Sequence, residues 1–167
     1  MKSLAKIGFT YRFEHLSAGG SVLSVEETHN LIPDQGRDYI LNAALLLGSQ
    51  FNSWYIGIYE GSYTPQTTDT MDTIVAAATE ITTAYSETTR GLLVPDALAG
   101  GVYSNAATPS TFTFTAAKTV RGGFISSGSV KGGTTGILLS AVLASSPKVV
   151  GIGESLRVTA GLSLVTI

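Results

Sequence analysis

The stretch 30–61, NLIPDQGRDYILNAALLLGSQFNSWYIGIYEG, decides the fold, because helical and strand signals follow each other in it with clear punctuation. Pro33 and Asp34 mark a helix start: proline suits the first turn, and a carboxylate there accepts free backbone N–H groups. Tyr39, Ile40, Ala43, Ala44 and Leu47 recur at spacings of three and four, which paints one apolar stripe on a helix over 34–47. Gly48 suits the left-handed conformation that ends such a helix. After the polar bridge of Ser49, Gln50 and Asn52, the run from Trp54 to Tyr59 is aromatic and β-branched. It reads as a buried strand that stops at Glu60-Gly61. The expectation is one helix laid on a sheet, with Trp54, Ile56 and Ile58 facing the stripe Ile40, Ala44 and Leu47.

Upstream, residues 6–14 alternate, with Ile7, Phe9, Tyr11 and Phe13 on one face. Ala18-Gly19-Gly20 supplies a turn, and Val22 to Thr28 forms a second strand with Leu23 and Val25 expected inward. Residues 1–28 are thus an N-terminal β-hairpin that delivers the chain to a body over 29–167, the whole making one compact domain. Downstream, GSYTPQTTDTMD (61–72) is a polar loop into a short helix near 73–79, with Asp69 and Asp72 as capping groups. Leu92 to Val94 is a short strand ended by Pro95. The last third alternates or runs apolar: Thr111–Thr115 with Phe112 and Phe114 inward, Lys118–Ile125, Gly136–Ala144, Val149-Val150 and Glu154–Val165. Gly122-Gly123 inside one of these strands signals a bulge or a close backbone approach. The fold class is mostly β, a β-sandwich or jelly-roll-like barrel with one main helix packed on a sheet.

Composition narrows the function. Only 13% of the 167 residues are charged, against about 25% in a typical domain, and glycine contributes 19. A surface of Ser, Thr, Gly and Ala suits flat packing against other protein. The ten basic residues are scattered and the net charge is −2, so no nucleic-acid footprint forms. Apolar runs are far short of the ~20 residues a membrane helix needs, and the N-terminus lacks the apolar core of a signal peptide, so the chain reads as soluble. No cysteine is present for disulfides or thiolate metal ligands. His15 and His29 lie near Glu14 and Glu26-Glu27 but read as solvated strand ends, and the loop around Asp69 and Asp72 lacks calcium-loop spacing. No nucleophile elbow or phosphate loop appears, so no catalytic, cofactor-binding or metal residues are assigned and no enzyme activity is expected.

Several short blocks carry a family resemblance: His29-Asn30-Leu31 with Gly36 and Tyr39-Ile40-Leu41, Trp54-Tyr55-Ile56-Gly57, Glu60-Gly61, and Tyr63-Thr64-Pro65. It continues through Ala84-Tyr85, Thr89-Arg90, Phe112-Thr113-Phe114, Lys118-Thr119-Val120 and Gly123-Phe124. The chain resembles capsid decoration or cement proteins of tailed bacteriophages. The resemblance implies a non-enzymatic virion protein, made in the host cytoplasm, that binds the major capsid protein on the capsid exterior. It also implies a homo-oligomer, dimer or trimer, with no nucleic acid or membrane partner and no cofactor. Phe9, Tyr11 and Phe13 of the hairpin are the expected partner contacts. The alternative is a tail- or fibre-associated module that binds glycan through Tyr55, Tyr59, Tyr63, Tyr85 or Tyr103.

Overall fold

The computed structural model describes residues 7–163. Its strands are β1 (Phe9–Leu16), β2 (Val22–His29), β3 (Trp54–Tyr59), β4 (Gly91–Leu93), β5 (Val102–Ser104), β6 (Ser110–Thr113), β7 (Lys118–Ser126), β8 (Leu138–Val150) and β9 (Ser155–Ser163). Helix α1 (Asp34–Leu45) joins β2 to β3, and α2 (Met71–Ala77) lies between β3 and β4. One antiparallel sheet runs β2-β1-β9-β5, with β6 paired to the other half of β9; the second runs β4-β3-β7-β8. The two sheets form a sandwich, not a closed barrel. Of the expected terminal strands, Lys6 and residues 164–165 lie outside the described residues.

The alternation of β1 is fulfilled: Phe9, Tyr11 and Phe13 are at most 1% exposed and point into the space between the sheets. They meet Ile56 and Ile58 of β3, Phe112 of β6, and Leu156 and Val158 of β9 in one core. This burial corrects their assignment as partner contacts, because the sandwich already uses their surface. The hairpin is also no separable attachment element. β1 pairs with β2 on one side and with β9 on the other, from Phe9↔Leu162 to Leu16↔Ser155. Deleting residues 1–28 would therefore open the centre of a sheet.

Leu23 and Val25 are a second correction, since they are 53% and 45% exposed. Pairing fixes their face: Tyr11↔Thr28 and Phe13↔Glu26 put Ser24, Glu26 and Thr28 on the inward side of β2. A strand's side-chain period is two, so Val25 must then look outward. What closes the sandwich here is polar. Glu26 reaches across to β8, where its carboxylate accepts from Lys148 Nζ at 2.6 Å and from the Ser145 and Ser146 N–H groups.

The centre of the second sheet is buried on both faces, which is why β3 reads as a nearly continuous apolar run. Ile56, Ile58 and Ile125 face the sandwich core; Tyr59 and Phe124 face the other way, under Met71, Ile74 and Ala78 of the α2 region. Close packing on that outer face requires two glycines. A Cβ on Gly57 would strike the Phe124 ring, and one on Gly122 would strike the Val142 carbonyl and the Tyr59 ring. The β7–β8 register shifts between Val120 and Gly122, so the Gly122-Gly123 signal marked both a bulge and a close approach.

Helix α2 starts two residues earlier than its sequence signal. Its cap is Thr70, which forms a reciprocal capping box with Thr73. Asp69 sits just outside, accepting from the Tyr63 hydroxyl and the Gln66 N–H, both at 2.8 Å. Helix α1 begins where expected, with Pro33 at the cap position and Asp34 first, but no side chain caps its N–H groups and the Asp34 carboxylate pairs with Arg37 instead. Its end differs. Leu47, not Gly48, takes the left-handed conformation (φ 57°), and Gly48 instead packs closely beside the Asn42 side chain.

Candidate interaction surface

Helix α1 is seated on the second sheet by its first turns. A Cβ on Gly36 would collide with the Leu139 carbonyl, so only glycine lets the helix come this close. One residue earlier, the Gln35 side-chain oxygen accepts from the Leu138 N–H at 2.7 Å. Tyr39 then joins Phe51 and Trp54 in an aromatic cluster with ring centroids 5.1–5.6 Å apart, and its hydroxyl accepts from the Phe51 N–H. Ile40 is half-buried against the core, while Ile56 and Ile58 are fully buried and Trp54 partly so.

Beyond Ile40 the helix leaves the sheet. Leu41 is 55% exposed, Leu45 73%, Leu46 75% and Leu47 97%, with Phe51 beside them at 44%. The expected stripe Ile40, Ala44, Leu47 therefore splits: Ile40 packs, and Ala44 and Leu47 face solvent. The periodicity was real, but only the N-terminal half of the stripe meets the sheet. A groove of about 250 Å³ runs along the same helix, lined by Ile7, Ile32, Arg37, Ile40 and Leu41. Contiguous exposed leucines of this kind make the helix the candidate interaction surface of the described residues. The sequence signal was present in Ala43-Ala44-Leu45-Leu46-Leu47, which has more leucine than one helix face can bury.

Of the tyrosines weighed for glycan binding, Tyr59 and Tyr63 lie together but on a largely buried cluster. Tyr59 and Tyr85 are buried, and burial pushes both hydroxyls above their ordinary range. Tyr63 is turned to Asp69, and Tyr103 lies on β5 at the far end of the sandwich beside Leu98 and Leu162. The two histidines do not converge. His15 Nε2 lies 2.8 Å from Glu154, and His29 meets the Thr10 hydroxyl at 3.3 Å. Together the Gly151 N–H and the His15 ring hold the Glu154 carboxyl below its ordinary value.

The principal buried charge is structural. Arg90, 1% exposed, donates from Nε and Nη2 to both Glu80 oxygens at 2.8 and 2.7 Å. Its remaining donors meet the Gly128 and Gly133 carbonyls and the Ser126 hydroxyl, and Glu80 also accepts from the Gly132 N–H. The pair thereby pins the loop after β7. Among the described residues no group of three His, Cys, Asp or Glu side chains stands close enough to hold a metal. No family model, curated protein or solved structure matches this chain.

Proposed function

We propose that this chain is a non-enzymatic structural protein of a phage virion that binds the major capsid protein on the outside of the assembled shell and braces it, as a homo-oligomer. The observation that carries the reading is the α1 surface: Leu41, Leu45, Leu46, Leu47 and Phe51 stand exposed on a sandwich whose own core is complete. A rigid body with a low-charge apolar face fits a role of lying against a protein lattice. Repetition suits such a role, because modest contacts made by many copies add up through avidity. The blocks of sequence that resemble decoration proteins include Tyr39-Ile40-Leu41 and Trp54-Tyr55-Ile56-Gly57, which build the base of this surface.

The experiment mixes purified protein with undecorated capsids and counts bound copies. Saturable binding in the hundreds per particle is expected, with Leu45→Glu and Leu46→Glu each weakening it by at least about tenfold while leaving the melting temperature within a few degrees. Absence of binding by the intact protein sinks the reading. Binding unaffected by both substitutions moves the contact away from α1.

A further inference from the structure

The edges of a β-sandwich expose unpaired N–H and C=O groups, and proteins usually block them. Here four of the edge strands are blocked. On β8, Pro147 interrupts donation, Glu26 takes the Ser145 and Ser146 N–H groups, and Leu31 bonds Ala141 in both directions. On β4, the Leu92 carbonyl accepts the Ser110 hydroxyl at 2.7 Å. At β5, the Val102 N–H bonds the Ala99 carbonyl and the Ser104 carbonyl takes the Asp96 N–H. At β6, the Thr113 N–H meets the Glu87 carboxylate and its carbonyl takes the Ser86 N–H.

β2 is different. It has eight residues, contains no proline, lysine or arginine, and carries Val22, Leu23 and Val25 between 45% and 53% exposed. The Asn30 N–H bonds the Phe9 carbonyl, so in this antiparallel ladder Thr28 and Glu26 turn their backbone groups to β1. Val25 and Glu27 then turn theirs outward, and among the described residues nothing meets them. The one irregularity in the β1–β2 register falls at Leu16, next to the turn, and leaves the strand regular from Ser24 onward.

We infer that β2 is the site of two-fold self-association, in which β2 of a second copy pairs antiparallel with it about Val25. This deepens the reading of a lattice-binding homo-oligomer and rests on it for its purpose. The strand's own polarity selects a second copy as the occupant. Its first half, Val22 to Val25, is uncharged and its second half carries Glu26 and Glu27. Antiparallel self-pairing about Val25 lays each acidic half against the other copy's uncharged half: Glu26 opposite Ser24, Glu27 opposite Leu23. Val25 meets its symmetry mate at the centre, with both leucines diagonal to it on the same face. Moving the axis one residue to Glu26 would set carboxylate against carboxylate. Such an isologous contact closes as a dimer and consumes the open edge.

The test uses the isolated full chain. Sedimentation over a hundredfold concentration range is expected to show a monomer–dimer equilibrium, and Val25→Glu to weaken it by at least about tenfold with an unchanged melt. Directly opposed residues in a hydrogen-bonded pair have Cα atoms ~5.5 Å apart, inside the range a disulfide spans. The chain has no cysteine, so Val25→Cys offers a single thiol and is expected to crosslink into dimers under mild oxidation. Thr111→Cys, exposed on the far edge of the same sheet, is the control. A protein that stays monomeric throughout, or a Val25→Cys chain that crosslinks no faster than the control, overturns the inference. Either result is independent of capsid binding, so failure of one reading is distinguishable from failure of the other.

Discussion

Arg90 is fully enclosed and uses its guanidinium as a junction. It forks onto Glu80, stacks over Phe124 at 5.0 Å, and donates to the Gly128 and Gly133 carbonyls of the adjoining loop. Removing one partner of such a pair leaves the other charge buried and unpaired. Arg90→Met is therefore expected to cost about 3–5 kcal/mol, read as a lower denaturant midpoint. The double variant Arg90→Met with Glu80→Leu should recover only part of this, because the Gly133 carbonyl and the Gly132 N–H lose their partners and the Gly128 carbonyl keeps only the Ser126 hydroxyl. A double variant as stable as the parent would show that the loop carries its own weight. Nothing in the spacing of Glu80 and Arg90 announces this pair. Long-range partners of opposite charge are chosen by the fold, and local sequence does not encode them.

At the scale of elements, legibility follows how far each signal depends on its neighbours. The helix start at Pro33-Asp34, the core strand Trp54–Tyr59 and the inward Phe112 and Phe114 depend on local pattern and burial, and each stands where the pattern put it. The inward assignment of Leu23 and Val25 went wrong because a strand does not know which face its sheet will cover. Here a buried Glu26–Lys148 pair holds the side that aliphatics would ordinarily take. The candidate surface was half legible: the leucines were visible, but their exposure depends on how α1 sits on the sheet, which local sequence does not encode. Seating of that helix makes a sharp prediction. Gly36→Val forces a branched side chain against the Leu139 carbonyl, and the backbone of β8 cannot yield cheaply. The expected result is a loss of about 1–3 kcal/mol together with altered near-ultraviolet dichroism from the Tyr39–Phe51–Trp54 cluster. An unchanged melt would mean the helix rides above the sheet instead of locking to it.

For the molecule as a whole, the two sheets are joined along the β2–β8 side by charge, and this ties stability to pH. Burial alone would raise the Glu26 carboxyl. Hydrogen bonds from Lys148, from the Ser145 hydroxyl and from the Ser145 and Ser146 N–H groups outweigh it and hold the group below its ordinary value. Glu154, bonded to Gly151 and His15 at the end where β9 begins, is shifted in the same direction. A carboxyl whose folded value is depressed binds protons more weakly than it does in the unfolded chain. Its contribution is therefore complete above the unfolded value, about 4.3 for a glutamate, and is lost as the pH falls through the folded one. The melting temperature should accordingly hold nearly level from neutral pH down to about 5 and fall progressively below about 4.3. Glu26→Gln should lower the neutral-pH stability by about 1–3 kcal/mol, because Lys148 loses its counter-charge, and should make the acid limb shallower. Thermal melts of both proteins between pH 2.5 and 7 decide it: parallel acid limbs would show that the proton is taken up elsewhere and that the latch between the sheets is carried by packing alone.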